Sequence, residues 1–254
     1  MQKIKTVNNI LLKVFDWLEM ILSHVRGRGY YSITNKREVF LIGNILYDTP
    51  MLAIDIGGNI GEYTANLREL YPDLEVHIFE PSSTNYDKLN KRFAADKLIK
   101  LLPYAISNST GEATLYSDKP GSVLSSLYKR KLDHMNINFD IKEKVKTMRF
   151  EEYWVNVLKK RNIDILKLDV EGNELDTLNG FGDAIMSTNV IQFEFGGADI
   201  DTRIFFRDFW FFFNDNKFQL FRMTPLGLEK IDRYREKEES FLYANYVAVN
   251  NNIN

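Results

Sequence analysis

Apolar residues fall along this chain in two rhythms. Ile4, Val7, Leu11, Val14, Leu18, Ile21 and Val25 recur at alternating spacings of three and four, which keeps them on one face of a helix. Ile10, Leu12, Phe15, Trp17, Met20 and Leu22 widen that face beyond a coiled-coil seam. Lys3, Lys5, Lys13, Asp16, Glu19 and Arg26 interrupt it. The spacing therefore predicts an amphipathic helix over 3–25, not a membrane span. Packing on its own domain is the expected role; a dimerisation helix and an interfacial membrane contact are the alternatives. Gly27 and Gly29 end the pattern, and residues 30–50 read as a helix or turn covering a sheet, up to Pro50.

From residue 51 the rhythm changes. Short apolar runs predict strands over 51–55, 75–80, 98–106, 163–169 and 190–195. Helical periods fill 61–71, 82–94, 151–160, 173–186 and 202–214, with Ser82 or Ser83 as an N-cap. Residues 113–116 add a short strand, order resumes over 145–150, and 218–223 with 241–249 close the chain as a hairpin-like pair. The alternation implies an α/β fold, an open and mostly parallel sheet with helices on both faces. Phe205, Phe206, Phe209, Trp210, Phe211, Phe212 and Phe213 in the last helix read as core. Residues 117–146 show no clean period and read as a substrate-side loop or lid, or as a disordered insertion. With no repeat or linker visible, the chain divides into a helical extension over 1–49 and one domain over 50–254.

The chemistry gathers where strands end. Asp55 closes the first run, and Gly57, Gly58, Asn59 and Gly61 follow before a helix begins at Glu62. Glycines at such a turn let the backbone bend and let a ligand approach. The spacing Asp-x-Gly-x-Asn-x-Gly is not the Gly-x-Gly-x-x-Gly of dinucleotide folds. Asp55 instead suits a cationic, amino-acid-like ligand. Glu80, followed by Pro81, lies 25 residues after Asp55, at the tip of the next strand. An acid there can bond both hydroxyls of an adenosine ribose. Together these features point to S-adenosylmethionine; a tight turn and a surface acid are the plain alternative.

A second cluster runs Lys167-Leu-Asp-Val-Glu-Gly-Asn-Glu174. Lys167 and Asp169 share a strand face by the period of two. Glu171 and Gly172 occupy the turn, and Glu174 lies in the first turn of the next helix, where its dipole favours an acid. Asp169 and Glu171 could accept the proton of a substrate hydroxyl. With Glu194 they could instead hold a divalent cation, although no histidine stands at ligand spacing. Of the three histidines, His77 reads as structural, His24 lies on the first helix, and His134, in the irregular stretch, is a candidate to reach a substrate.

Composition narrows the classes. A formal net charge of −2 over 254 residues gives no basic field for nucleic acid. The absence of cysteine excludes disulfides, thiolate nucleophiles and zinc–sulfur sites. No signal peptide with a cleavage site is visible, so a cytoplasmic enzyme is the default expectation.

The segments Asp55-Ile-Gly-Gly-Asn-Ile-Gly61, Phe79-Glu-Pro81, Ser125-Ser-Leu127, Ile165-Leu-Lys-Leu-Asp-Val-Glu-Gly-Asn-Glu174 and Ile191-Gln-Phe-Glu194 resemble the FkbM family of S-adenosylmethionine-dependent methyltransferases. The resemblance implies O-methylation of sugar, glycan or polyketide hydroxyls. It also implies a Rossmann-like seven-stranded sheet with its last strand antiparallel. By the same resemblance Asp55, Gly57, Asn59 and Gly61 line the methionine and ribose region, Glu80 meets the ribose, and Asp169 and Glu171 face the transferring methyl.

Overall fold

The computed structural model describes residues 9–29 and 33–252. In chain order the helices and strands are α1 (Asn9–Val25), α2 (Asn35–Gly43), β1 (Leu52–Ile56), α3 (Glu62–Leu70), β2 (Glu75–Phe79), α4 (Ser83–Arg92), β3 (Ile99–Leu102), β4 (Ala105–Ile106), β5 (Gly111–Ser117) and β6 (Ile141–Met148). There follow α5 (Phe150–Asn156), β7 (Ile163–Leu168), α6 (Glu174–Phe181), β8 (Thr188–Phe195), α7 (Gly197–Thr202), α8 (Phe206–Asp215), β9 (Phe218–Thr224), β10 (Gly227–Ile231) and β11 (Ala244–Asn250).

The main sheet runs β10-β9-β11-β8-β7-β1-β2-β3. The pairings of β3, β2, β1, β7 and β8 are parallel, and β11 enters antiparallel between β8 and β9. Both faces of β1 are buried, as a central parallel strand requires. Leu52, Ile54 and Ile56 join a core with Phe150, Phe181, Phe193 and the α8 aromatics Phe206, Phe209 and Phe213. Ala53, one step out of phase, faces the opposite core with Leu67, Leu89 and the α2 residues Val39, Leu41 and Ile42. So α2, which the sequence assigns to the extension ahead of residue 50, covers one face of the sheet.

Three expectations change in detail. The main sheet has eight strands, because Pro225 and Leu226 turn β9 back into β10; that short half-polar run carries no strong period. The predicted strand over 98–106 divides at Pro103, which cannot donate to a ladder. Its second half, β4, leaves for a small sheet of order β4-β6-β5. Residues 141–144, read as part of the irregular stretch, join the order expected from 145 in one strand, β6, with Val145 and Thr147 buried between exposed lysines at 142, 144 and 146.

The largest departure concerns α1. Its apolar side chains from Leu11 to Val25 are all exposed, so the helix does not pack on its own domain. Its base alone is fixed. Arg26 bonds Glu229 at 2.7 Å, and Gly27 lies so close to the Met223 carbonyl that a Cβ would stand 1.9 Å from it. Residues 3–8 of the predicted helix lie outside the described residues. Among the described residues no helix is long and apolar enough to cross a membrane.

Candidate active site

A cleft of ≈ 410 Å³ opens at the carboxyl ends of β1, β2, β7 and β8, within the roughly 300–1,000 Å³ of small-molecule sites. Asp55, Gly57, Gly58, Asn59, Glu80, Pro81, Asp169, Glu171 and Glu194 all line it. Two predicted residues do not. Gly61 caps the start of α3 at φ +80°, where a Cβ would meet Phe93 at 2.5 Å, so its role is to let the helix pack. His134 lies exposed on a single 3₁₀ turn, Asp133–Met135, and is not among the lining residues.

The glycine turn is built by backbone geometry. Gly57 adopts φ +81°, and a Cβ there would stand 1.8 Å from the Asp169 carbonyl oxygen. Its N–H donates to the Phe79 carbonyl at 2.9 Å. One residue without a side chain thus holds together the tips of β1, β2 and β7. Asn59, itself at φ +49°, donates its N–H to Glu80 Oε2, and Ser82 donates its N–H to Glu80 Oε1, both at 2.8 Å. Ser82 takes the N-cap position of α4 without a side-chain cap bond. Burial pushes the Glu80 carboxyl up to about 7 even against these two donors.

A buried polar row lies beneath the cleft. Strand register places Asp55 beside Lys167, and Lys167 beside Gln192. Thr64 Oγ1 donates to Asp55 at 2.6 Å, and Tyr63 Oη donates to Gln192 Oε1 at 2.8 Å. Glu38, reaching in from α2, accepts from Gln192 and from Asn245, each at 2.8 Å. Lys167 Nζ lies 5.4 Å from the centre of the Tyr63 ring and donates to Asp169 Oδ2 at 2.9 Å. Burial works against its charge, but Asp169 and Glu38 outweigh burial and keep the ammonium charged. Burial likewise raises the Asp55 carboxyl, against the Thr64 bond and Lys167.

The rim carries the second acidic cluster. The Asp169 side chain is 38% exposed, so a ligand can reach it. Glu171, at φ +52°, pairs with the buried Arg130 at 2.5 Å. Burial first, then the charge of Asp169, raises its carboxyl, with Arg130 opposing. Burial and the neighbouring acids raise Glu194 in the same direction. Glu174 accepts the N–H groups of Val170 and Gly172 and fixes the turn, the plain role its place at a helix start suggested. Asp169, Glu171 and Glu194 do not form a ligand set; no group of three such side chains suited to a metal occurs among the described residues. Lys167 and Arg130 each claim one of the carboxylates instead.

The irregular stretch is tied to this rim. Ser126 bridges to Tyr116 and donates its hydroxyl to the Glu171 carbonyl at 2.7 Å; Tyr128 Oη bonds Asp176 at 2.8 Å. Ser125 and Leu127 line the cleft, with Tyr104 and Tyr243 as aromatic walls. The place of Lys167 beneath the cleft had two traces in the sequence, a charge between Leu166 and Leu168 and a strand face shared with Asp169. Glu38 and Tyr243 had none, being far from the motifs along the chain, and Arg130, three residues after Leu127, lies in the stretch without a period. His77 proves structural, buried between Glu75 at 2.7 Å and Tyr153 at 2.9 Å.

Similar proteins are named as methyltransferases. The methyltransferase FkbM domain matches residues 55–220. Methyltransferase sdnD of Sordaria araneosa is 29% identical over 186 residues, 60% of this chain and 72% of its own length. The 2-O-methyltransferase NoeI of Sinorhizobium fredii is 23% identical over 168 residues, 63% of this chain and 69% of its own. A methyltransferase FkbM structure from Methylobacillus flagellatus aligns with 92% of this chain and 60% of that one, at 14% identity and a TM-score of 0.46. The domain match starts at Asp55 and carries through the β1, β2, β7 and β8 tips that line the cleft, and the chain belongs to the FkbM family of methyltransferases.

Proposed function

We propose that the cleft holds S-adenosylmethionine and that the protein methylates a hydroxyl of a sugar, a glycan or a related natural product. The residues suit that cofactor. Each Glu80 oxygen takes one backbone N–H and keeps lone-pair capacity for a ribose hydroxyl. Asp55 supplies negative charge toward the amino-acid end, and Tyr104, Ile106 and Val123 give the apolar wall that a flat base needs. Bound there, the cofactor supplies an electrophilic methyl group on its sulfonium.

The observation that carries the reading is Asp169, an accessible carboxylate fixed at the cleft by a buried, charged lysine. Lys167 holds it in one orientation, and it receives the hydrogen bond of the acceptor hydroxyl. The proton leaves along that hydrogen bond to Asp169 as the hydroxyl oxygen attacks the methyl group, while Arg130 holds Glu171 in an ion pair beside it. Positioning supplies the rest of the rate. The relative named as a 2-O-methyltransferase supports a hydroxyl acceptor. This reading gives His134 no role.

Titration with S-adenosylhomocysteine and with NAD tests the cofactor; tight binding of NAD alone would end the proposal. Asp169→Asn tests the chemistry. Its kcat should fall by about 10²–10⁴-fold, while calorimetric affinity for S-adenosylhomocysteine changes only a few-fold. Normal turnover in that variant would remove Asp169 from the mechanism.

A further inference from the structure

We propose that α1 is a membrane-surface anchor, lying in the boundary of an anionic bilayer and holding the cleft beside it. The helix places Trp17, Val14, Leu18, Leu22 and Phe15 in one arc of roughly 160° with no polar residue inside it. Leu22 is 64% exposed, and Trp17 and Phe15, at opposite edges of the arc, are 56% and 55% exposed. This inference does not rest on the methyl-transfer reading.

A lipid surface fits this face better than a second copy of the helix. Two paired helices cover only the strip through Leu11, Val14, Leu18 and Ile21, and would leave Trp17 and Phe15 in water. The positions flanking that strip, where charges set the register of paired helices, hold Phe15, Trp17 and Leu22. Of the five Lys or Arg in residues 1–28, Arg26 and Arg28 pair with Glu229 and Glu238, which leaves Lys3, Lys5 and Lys13 against Asp16 and Glu19. That small remaining excess favours anionic over neutral lipid. At 17 residues, about 25 Å, α1 is too short and too interrupted by Lys13, Asp16 and Glu19 to cross a bilayer, so it lies along one.

The anchor is coupled to the cleft. Beyond the Gly27 contact, Gly29 donates its N–H to the Tyr243 carbonyl at 2.7 Å, and Tyr243 and Asn35 both line the cleft. A lipid surface under α1 therefore stands near the cleft mouth, as an acceptor presented on that surface would require.

Flotation of the full chain with phosphatidylcholine vesicles, with and without phosphatidylglycerol, tests this, alongside the double variant Phe15→Glu/Leu18→Glu. The wild type should float with the anionic vesicles, and the variant's partition should drop by about tenfold or more. Both should bind S-adenosylhomocysteine equally, or both should fail to, since neither residue lines the cleft. Failure of the wild type to float overturns the proposal. So does a lipid-free dimer in sedimentation velocity that the double variant dissociates, which would make the occupant a second copy. Equal binding to both vesicles overturns the charge argument.

Discussion

Gly57 joins three strand tips through a backbone that no other residue can take up there. With φ at +81° and a carbonyl oxygen 1.8 Å from any Cβ, Gly57→Ala should cost about 2–4 kcal/mol, seen as a lower urea midpoint with an unchanged slope. Glu80 gives a pH signature. Its carboxyl is raised by burial from an ordinary 4.5 to about 7, and in the proposed cofactor complex it must be ionised to accept two ribose hydroxyls. Affinity for S-adenosylhomocysteine should therefore rise with pH up to about 7 and then level off, and Glu80→Gln should flatten the profile in calorimetry. The sign for folding is opposite: the folded state holds this proton more tightly than the unfolded one, so stability from this group is lost as pH climbs from about 4.5 to about 7. Asp55, Gly57, Asn59, Glu80, Asp169 and Glu171 were legible in the sequence because each ends or follows a strand within a short motif. Gly61 was legible as a glycine but not as a packing residue, since only the tertiary structure brings Phe93 against it.

At the level of elements, two pieces support the cleft from a distance. The first is α2, whose Glu38 receives the amides of Gln192 and Asn245 and faces Lys167. Glu38→Ala would leave two buried donors unpaired, at about 1–3 kcal/mol for each unsatisfied group, measurable by denaturant unfolding. It should also lower kcat, because Lys167 loses one of the charges that hold it in place. The second is the stretch between β5 and β6, strapped to the rim by Ser126, Tyr128 and Arg130. Arg130→Ala should increase amide exchange across residues 118–140 and reduce kcat/KM. The strap was unreadable in the sequence as structure, because its order comes from contacts with residues 171, 176 and 201 and not from a local period. By contrast, the alternation of Lys142, Lys144 and Lys146 was a legible strand signal that the surrounding irregularity masked.

For the molecule as a whole, the sheet and its two helical layers form the body, and α1 stands outside it. Because α1 leaves its apolar side chains exposed, removal of residues 1–25 should change the midpoint of thermal unfolding by no more than about 4 °C, on the order of one kcal/mol. A larger loss in calorimetry would mean that the helix packs on the body after all. The sequence by itself determined the α/β class, the central strands, the glycine turn and the acids at the strand tips, since these follow from local period and from what a strand-to-helix turn demands of the backbone. Only the tertiary structure decided that α1 does not join α2 on the sheet, that β10 widens it, and that Lys167, Arg130 and Glu38 fix the acids. Those outcomes depend on which distant surfaces compete for the same burial and the same counter-charges, and neighbours along the chain carry no record of that competition.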